Sequence, residues 1–198
     1  MAPIRKEAPV FNIANVLTVL RLVLVPVFCV VYLVDTPLRS FIAWCIFALA
    51  ALTDKLDGYL ARSRGLVTNF GKIADSVADK FLIAATMILL SWHGHLWWWV
   101  TIVMIVRELI ITLLRMYMLR REVMAAGRGG KIKMFFQSIG AGGLLIPWYY
   151  AFPLPYSDII FIIFYICLAV ALFFSISSAI DYFWDARKIM NRGEGNDS

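Results

Sequence analysis

Asp54-Lys55-Leu56-Asp57-Gly58-Tyr59-Leu60-Ala61-Arg62, followed after eight residues by Gly71-Lys72-Ile73-Ala74-Asp75-Ser76-Val77-Ala78-Asp79, places four carboxylates in a chain that is otherwise strongly apolar. Their spacing is helical. Asp54, Asp57, Gly58 and Ala61 stand at i, i+3, i+4 and i+7, which is one stripe of a helix. Gly71, Asp75 and Asp79 recur every fourth residue and make a stripe on a second helix. Carboxylates inside apolar spans are costly and mark functional sites by default. Two such stripes must face something other than lipid.

The surrounding composition makes the solvent of this chain a membrane. Of 198 residues 62% are hydrophobic and only 16% charged, more apolar surface than one soluble core of this length hides. Hydropathy divides the sequence into spans of about 20 residues, each long enough to cross roughly 30 Å of hydrocarbon as a helix. Six are expected, at Asn15–Val34, Phe41–Arg62, Lys72–Trp92, Trp97–Leu119, Phe135–Ala151 and Ser157–Trp184. The expectation is an all-α polytopic membrane protein forming a single domain over residues 1–198. Residues 1–14 precede the first span as an interfacial segment, and residues 186–198 form a tail. The first apolar run is longer than a signal-peptide core and lacks a small-residue cleavage site, so it stays as an anchor.

Basic residues orient the spans, because Lys and Arg in short loops are retained on the cytoplasmic side. Arg5, Lys6, Arg62, Arg64, Lys72, Arg120, Arg121, Arg128, Lys131, Lys133, Arg187, Lys188 and Arg192 fall on one side, and the other has only Arg39. Both termini are therefore expected in the cytoplasm. Trp97, Trp98, Trp99 and the Pro153-Leu154-Pro155 turn belong to the opposite boundary.

Depth brings the acids together. Asp54 lies 13 residues from Phe41 and Asp79 lies 13 residues before Trp92, each about 20 Å along its helix at 1.5 Å per residue. Asp57 and Asp75 share the next level toward the cytoplasm, at 16 and 17 residues. If the two faces meet, the four acids form a quadrangle recessed from the cytoplasmic surface. Clustered carboxylates stay ionised only when a cation joins them. Hard oxygen ligands select Mg2+, Mn2+ or Ca2+, and a pair of ions about 4 Å apart is the usual clamp on a transferring phosphoryl group. Gly58 and Ala61, beside the acids, leave room for a flat group to approach the backbone; taken alone they equally serve close helix packing.

Other features exclude function classes. Cys29, Cys45 and Cys167 lie in apolar runs without zinc or disulfide spacing, so they serve packing. His93 and His95 lack the third and fourth ligands a metal site requires. The net charge of +6 follows the membrane face without a soluble basic domain, which fits anionic headgroups and excludes nucleic acid. Arg107 and Arg115 lie within an apolar span, where Glu108 or an anionic ligand must offset them. With Lys131 and Lys133 beyond, they suit an acceptor carrying its own phosphate. The alternative is an Arg107–Glu108 structural pair with loop lysines that only set topology.

The frame Asp54-x-x-Asp57-Gly58-x-x-Ala61-Arg62-x8-Gly71-x-x-x-Asp75-x-x-x-Asp79 resembles, at every defining position, the signature of the CDP-alcohol phosphatidyltransferase family. Members are six-helix membrane enzymes that displace CMP from a CDP-linked substrate with an alcohol, using divalent metal. The resemblance implies that Asp54, Asp57, Asp75 and Asp79 hold two ions, Mg2+ or Mn2+, and that Asp79 takes the proton of the acceptor hydroxyl. It assigns Gly58, Ala61, Arg62, Thr68 and Gly71 to CDP-diacylglycerol. It also implies a homodimer in the bacterial cytoplasmic membrane, with the site facing the cytoplasm.

Asn15-Val16-Leu17-Thr18-Val19-Leu20-Arg21, the Val106–Arg115 segment, Gly130-Lys131-Ile132-Lys133 and Gln137 look like the branch whose acceptor is glycerol 3-phosphate. That likeness assigns Thr18, Arg21, Arg107, Arg115, Lys131 and Lys133 to the acceptor. The chain departs from the branch at Ser76, where Pro is usual, and at Met134, where Thr is usual. Within the family, phosphatidylglycerol or an inositol phosphate is the alternative acceptor. A cation or proton transporter would place its acids near the midplane with broken helices or repeated halves; these acids lie toward one side and no repeat is visible. The last two spans are read as apolar bulk, with Ala141, Gly142 and Gly143 allowing close approach within the chain or in a dimer.

Overall fold

The computed structural model describes the backbone of residues 13–63, 69–118 and 128–194, and side chains within them except at 13–15, 55–63, 69–76, 115–118, 128, 129, 131, 181, 182 and 185–194. Apart from the short connections between helices, the described residues are helical, and none is in a strand. The elements are α1 (Ile13–Tyr32), α2 (Pro37–Ser63), α3 (Asn69–Trp92), α4 (Trp98–Met118), α5 (Arg128–Leu144), the single turn α6 (Trp148–Ala151) and α7 (Tyr156–Glu194).

Helix is the form an apolar segment must take in lipid, because it satisfies each backbone group within the segment. Local chemistry sets the ends. Thr36 Oγ1 accepts from the Arg39 amide at 3.4 Å and Pro37 occupies the first helical position, a start signal for α2. Gly94, at φ +77°, lets the chain turn between α3 and α4 through a backbone conformation that L residues rarely adopt.

Two expected boundaries are corrected. The fifth helix begins at Arg128 and ends at Leu144, and a turn through Pro147 leads to α6. Pro147 lacks the amide that continuation to Ala151 requires. The last helix runs beyond Trp184 to Glu194, 39 residues in all, about 58 Å at 1.5 Å per residue. Much of the expected tail is thus helical.

Helix α1 packs along both α2 and α3, more extensively than those two touch each other, while α5 lies along α7 and α4 bridges α3 and α7. The core joins Phe28 and Tyr32 of α1, Phe47 of α2, Leu82, Met87 and Leu90 of α3, Met104 of α4 and Leu168 of α7. The outward faces are also apolar, with Val30, Phe81, Leu113 and Phe173 each more than 60% exposed, a distribution suited to lipid. Among the described residues, Pro37–Asp54 and Tyr156–Ile180 are long and apolar enough to cross a membrane, and Val16–Tyr32 is a shorter apolar helix.

Gly142 and Gly143 serve packing inside the chain. A Cβ on Gly142 would stand 2.7 Å from the Phe47 ring, and one on Gly143 would enter the Phe164 ring. The small residues of α5 therefore seat aromatic rings from α2 and α7.

Candidate functional site

Asp54 and Asp79 line one cavity of about 480 Å3, as their equal depth predicts. Helix α2 contributes Phe47, Ala50 and Ala51 to its wall, α3 contributes Leu82 and Ile83, and α5 contributes Phe135 and Ser138. The acids thus stand at the polar part of an otherwise apolar chamber.

Arg21 of α1 reaches this cavity and binds Asp54, with Nη1 donating to Oδ1 at 2.7 Å. The guanidinium is 1% exposed and the carboxylate 39%, so Asp54 supplies negative charge to a buried cation. Thr18, one turn earlier on α1, is also buried. Expected at the acceptor, Arg21 also makes a charge pair with Asp54, a proposed metal ligand. The spacing of 33 residues carries no local signal for that pairing, although an arginine at the depth of the acids is itself a clue.

A second group of charges lies alongside. Arg107 Nε donates to the Ser175 carbonyl at 2.9 Å, Nη1 to Glu108 Oε2 at 3.2 Å, and Nη2 to Ser178 Oγ. Lys133 Nζ donates to the same Glu108 Oε2. Lys80 Nζ donates to Thr112 Oγ1 at 2.7 Å, and that hydroxyl donates to the Glu108 carbonyl at 2.7 Å. Glu108 thus ties Arg107 of α4 to Lys133 of α5 and lies within electrostatic reach of Lys80. Lys133 is also within reach of Asp79, and its neighbour Met134 lines the cavity. The two groups adjoin.

These contacts correct the reading of the last two spans as apolar bulk. Ser175 and Ser178 of α7 anchor Arg107, and Gln137 of α5 is buried with Nε2 3.0 Å from Met87 Sδ. The signal was present: serines at i and i+3 in a long apolar helix point one way. His93 and His95 have other employment, on the Tyr32 carbonyl at 2.7 Å and Asp35 at 2.9 Å.

Several expected residues are placed by backbone alone. Asp57, Gly58, Ala61 and Arg62 follow Asp54 on α2, and Gly71 and Asp75 precede Asp79 on α3, in the expected helical register. Arg115 lies on α4 and Lys131 on α5, and Thr68 lies outside the described residues. No group of three or more His, Cys, Asp or Glu side chains gathers among the described residues; Asp57 and Asp75 are not among the side chains described.

Residues 11–179 match the family model of the CDP-alcohol phosphatidyltransferases. The chain is 40% identical over 179 residues to a probable phosphatidylglycerophosphate synthase of Mycobacterium tuberculosis H37Rv, covering 89% of this chain and 82% of that one. It is 36% identical over 197 residues to the CDP-diacylglycerol–glycerol-3-phosphate 3-phosphatidyltransferase of Bacillus subtilis 168, with 91% and 100% covered. The Escherichia coli K12 protein of the same description is 41% identical over 141 residues, 68% of this chain and 77% of the relative.

Proposed function

This chain belongs to the CDP-alcohol phosphatidyltransferase family, and we propose that the cavity between α2, α3 and α5 is where it transfers the phosphatidyl group of CDP-diacylglycerol to sn-glycerol 3-phosphate. The products are phosphatidylglycerophosphate and CMP. The observation that carries the assignment of the site is the meeting of Asp54 and Asp79, from two different helices, at one cavity beside the Lys80, Arg107 and Lys133 cations.

The residues fit a hard divalent ion, since carboxylate oxygens from two helices reach the same cavity and two further aspartates stand one turn away in register. Asp54, Asp57, Asp75 and Asp79 are the proposed ligands of two ions, Mg2+ or Mn2+. When bound, these supply the positive charge that neutralises the donor diphosphate and stabilises departing CMP. Arg21 holds the Asp54 carboxylate in place. Gly58, Ala61, Arg62, Thr68 and Gly71 seat the CDP-diacylglycerol headgroup, and the apolar wall continues toward the acyl chains.

Asp79 takes the proton of the glycerol 3-phosphate hydroxyl as that oxygen attacks the phosphorus bearing diacylglycerol. The new P–O bond forms as the bond to the CMP phosphate oxygen breaks, and CMP leaves with the electron pair. Positioning and electrostatics supply the catalysis, as in other phosphoryl transfers. Lys133 and Arg107, with Arg115, Lys131 and Thr18, are assigned to the acceptor phosphate, which guanidinium and ammonium groups both bind.

The enzyme is a membrane protein, for which we propose six spans, both termini in the cytoplasm, a homodimeric assembly and a site facing the cytoplasm of a bacterial cell. The one-sided distribution of Lys and Arg supports this orientation. An acceptor panel tests the substrate. Purified protein given CDP-diacylglycerol should release CMP faster with glycerol 3-phosphate than with phosphatidylglycerol or inositol 1-phosphate. A preference for either of the latter would reassign the acceptor.

A further inference from the structure

Among the described side chains, Lys80, Arg107, Lys133 and Glu108 form the hydrogen-bonded group beside the cavity, and their burial is unequal. The side chains of Lys133 and Arg107 are 4% and 12% exposed, whereas that of Glu108 is 34% exposed. Both cations meet the same carboxylate oxygen, Glu108 Oε2. The carboxylate therefore lies on the open side of the pair it neutralises. Arg107 is held from behind by the Ser175 carbonyl and Ser178 Oγ, and Lys80 is held by Thr112. The cations are fixed to α7 and α4 independently of Glu108, with one exception. Lys133 has Glu108 as its hydrogen-bonding partner among the described residues.

Charge arithmetic gives this placement a consequence. Among the described side chains, Lys80, Arg107 and Lys133 stand against Glu108 and, within reach of Lys133, Asp79, which leaves one net positive charge to draw in a phosphate monoester. A buried ammonium needs an anion at all times, because leaving it uncompensated is strongly unfavourable. One carboxylate cannot share Lys133 with an arriving phosphate without a like-charge cost.

Resting on the reading of this group as the acceptor-phosphate site, we propose that Glu108 is its resident counter-anion, a positioning residue that holds Lys133 until the acceptor phosphate displaces it. A free phosphate ion must displace the carboxylate with no further gain. Glycerol 3-phosphate brings a hydroxyl that reaches Asp79 as well, so its displacement of Glu108 is offset by contacts that inorganic phosphate lacks. Glu108 thus sets how tightly a phosphate of either kind is held at Lys133, while the hydroxyl's reach to Asp79 distinguishes the acceptor; Glu108 acts through Lys133 without touching the reacting atoms.

The test uses full-length protein in detergent and reads the KM for glycerol 3-phosphate and the inhibition constant of inorganic phosphate. In Glu108→Gln the phosphate inhibition constant should fall about tenfold, the scale set by removing one charge beside an ionised group. The KM for glycerol 3-phosphate should fall by a similar factor, and kcat should not rise. Tighter binding of a simple anion is not what loss of a merely structural residue produces. An unchanged or weaker phosphate inhibition would overturn the proposal. Should the Gln variant fail to elute as the native species, Glu108→Asp, which withdraws the carboxylate by one methylene, should give a smaller shift in the same direction, and its absence would count equally against the idea. Lys133→Gln separates the two layers. If it leaves the glycerol 3-phosphate KM unchanged, the acceptor-site reading itself fails; if it raises KM while Glu108→Gln leaves phosphate inhibition alone, only the role of Glu108 fails.

Discussion

At the residue scale the acids differ in what else depends on them. Asp54 pairs with the buried Arg21, so Asp54→Ala removes a charged hydrogen-bond partner of that cation and should lower stability by about 1–2 kcal/mol, read as a fall in the thermal unfolding midpoint in detergent. A variant as stable as the native protein would show that Arg21 is held by other means. Asp79→Asn removes the proposed base and should keep the fold while turnover drops by at least about a hundredfold; full activity would exclude Asp79 from that role. The positions of both acids were readable in the sequence because helical period and depth follow from counting residues. The Arg21–Asp54 pair was not, because it joins positions 33 residues apart through the packing of α1 on α2. Glu108 was visible as a partner of Arg107, but its second bond, to Lys133 of α5, is likewise a tertiary fact.

At the element scale the helices themselves were legible, since apolar runs of membrane length leave the backbone no other way to satisfy its polar groups. Ends were less so. The fifth run is apolar straight through Pro147, and hydropathy alone does not register that a missing amide breaks it. The glycines of α5 were read as packing residues without a partner, which the fold supplies as Phe47 and Phe164. Gly142→Ala should cost about 1–3 kcal/mol by overpacking, and because Phe47 also lines the cavity, it should reduce activity beyond the loss of folded protein. Specific activity of the purified folded fraction equal to native would separate this contact from the site. The role of α7 was hidden by its hydropathy. Two serines are a minor feature of 39 residues, yet they fix the guanidinium of Arg107.

At the scale of the whole molecule, four helices converge on one chamber. Helix α1 supplies Arg21, α2 and α3 supply the acids, and α5 closes the wall beside the cation group. In the proposed orientation a lipid-borne donor enters from the side and a charged acceptor from the cytoplasm. Its orientation is testable in a background with Cys29, Cys45 and Cys167 replaced by Ser. A cysteine in place of Arg39 should label in intact spheroplasts, and one in place of Asn196 only after the membrane is opened; the reverse pattern would invert the proposed topology. The central claim is a metal-dependent transfer between two named substrates at the aspartate site. Its most direct measurement follows glycerol 3-phosphate labelled in the glycerol carbons into lipid, alongside CMP release, with purified protein stripped of metal and then resupplied. The account predicts no product from the stripped protein, one labelled phosphatidylglycerophosphate for each CMP once Mg2+ or Mn2+ is restored, and none at any metal concentration from Asp79→Asn. CMP released without incorporation of labelled glycerol, or incorporation that continues in the stripped protein, would contradict it.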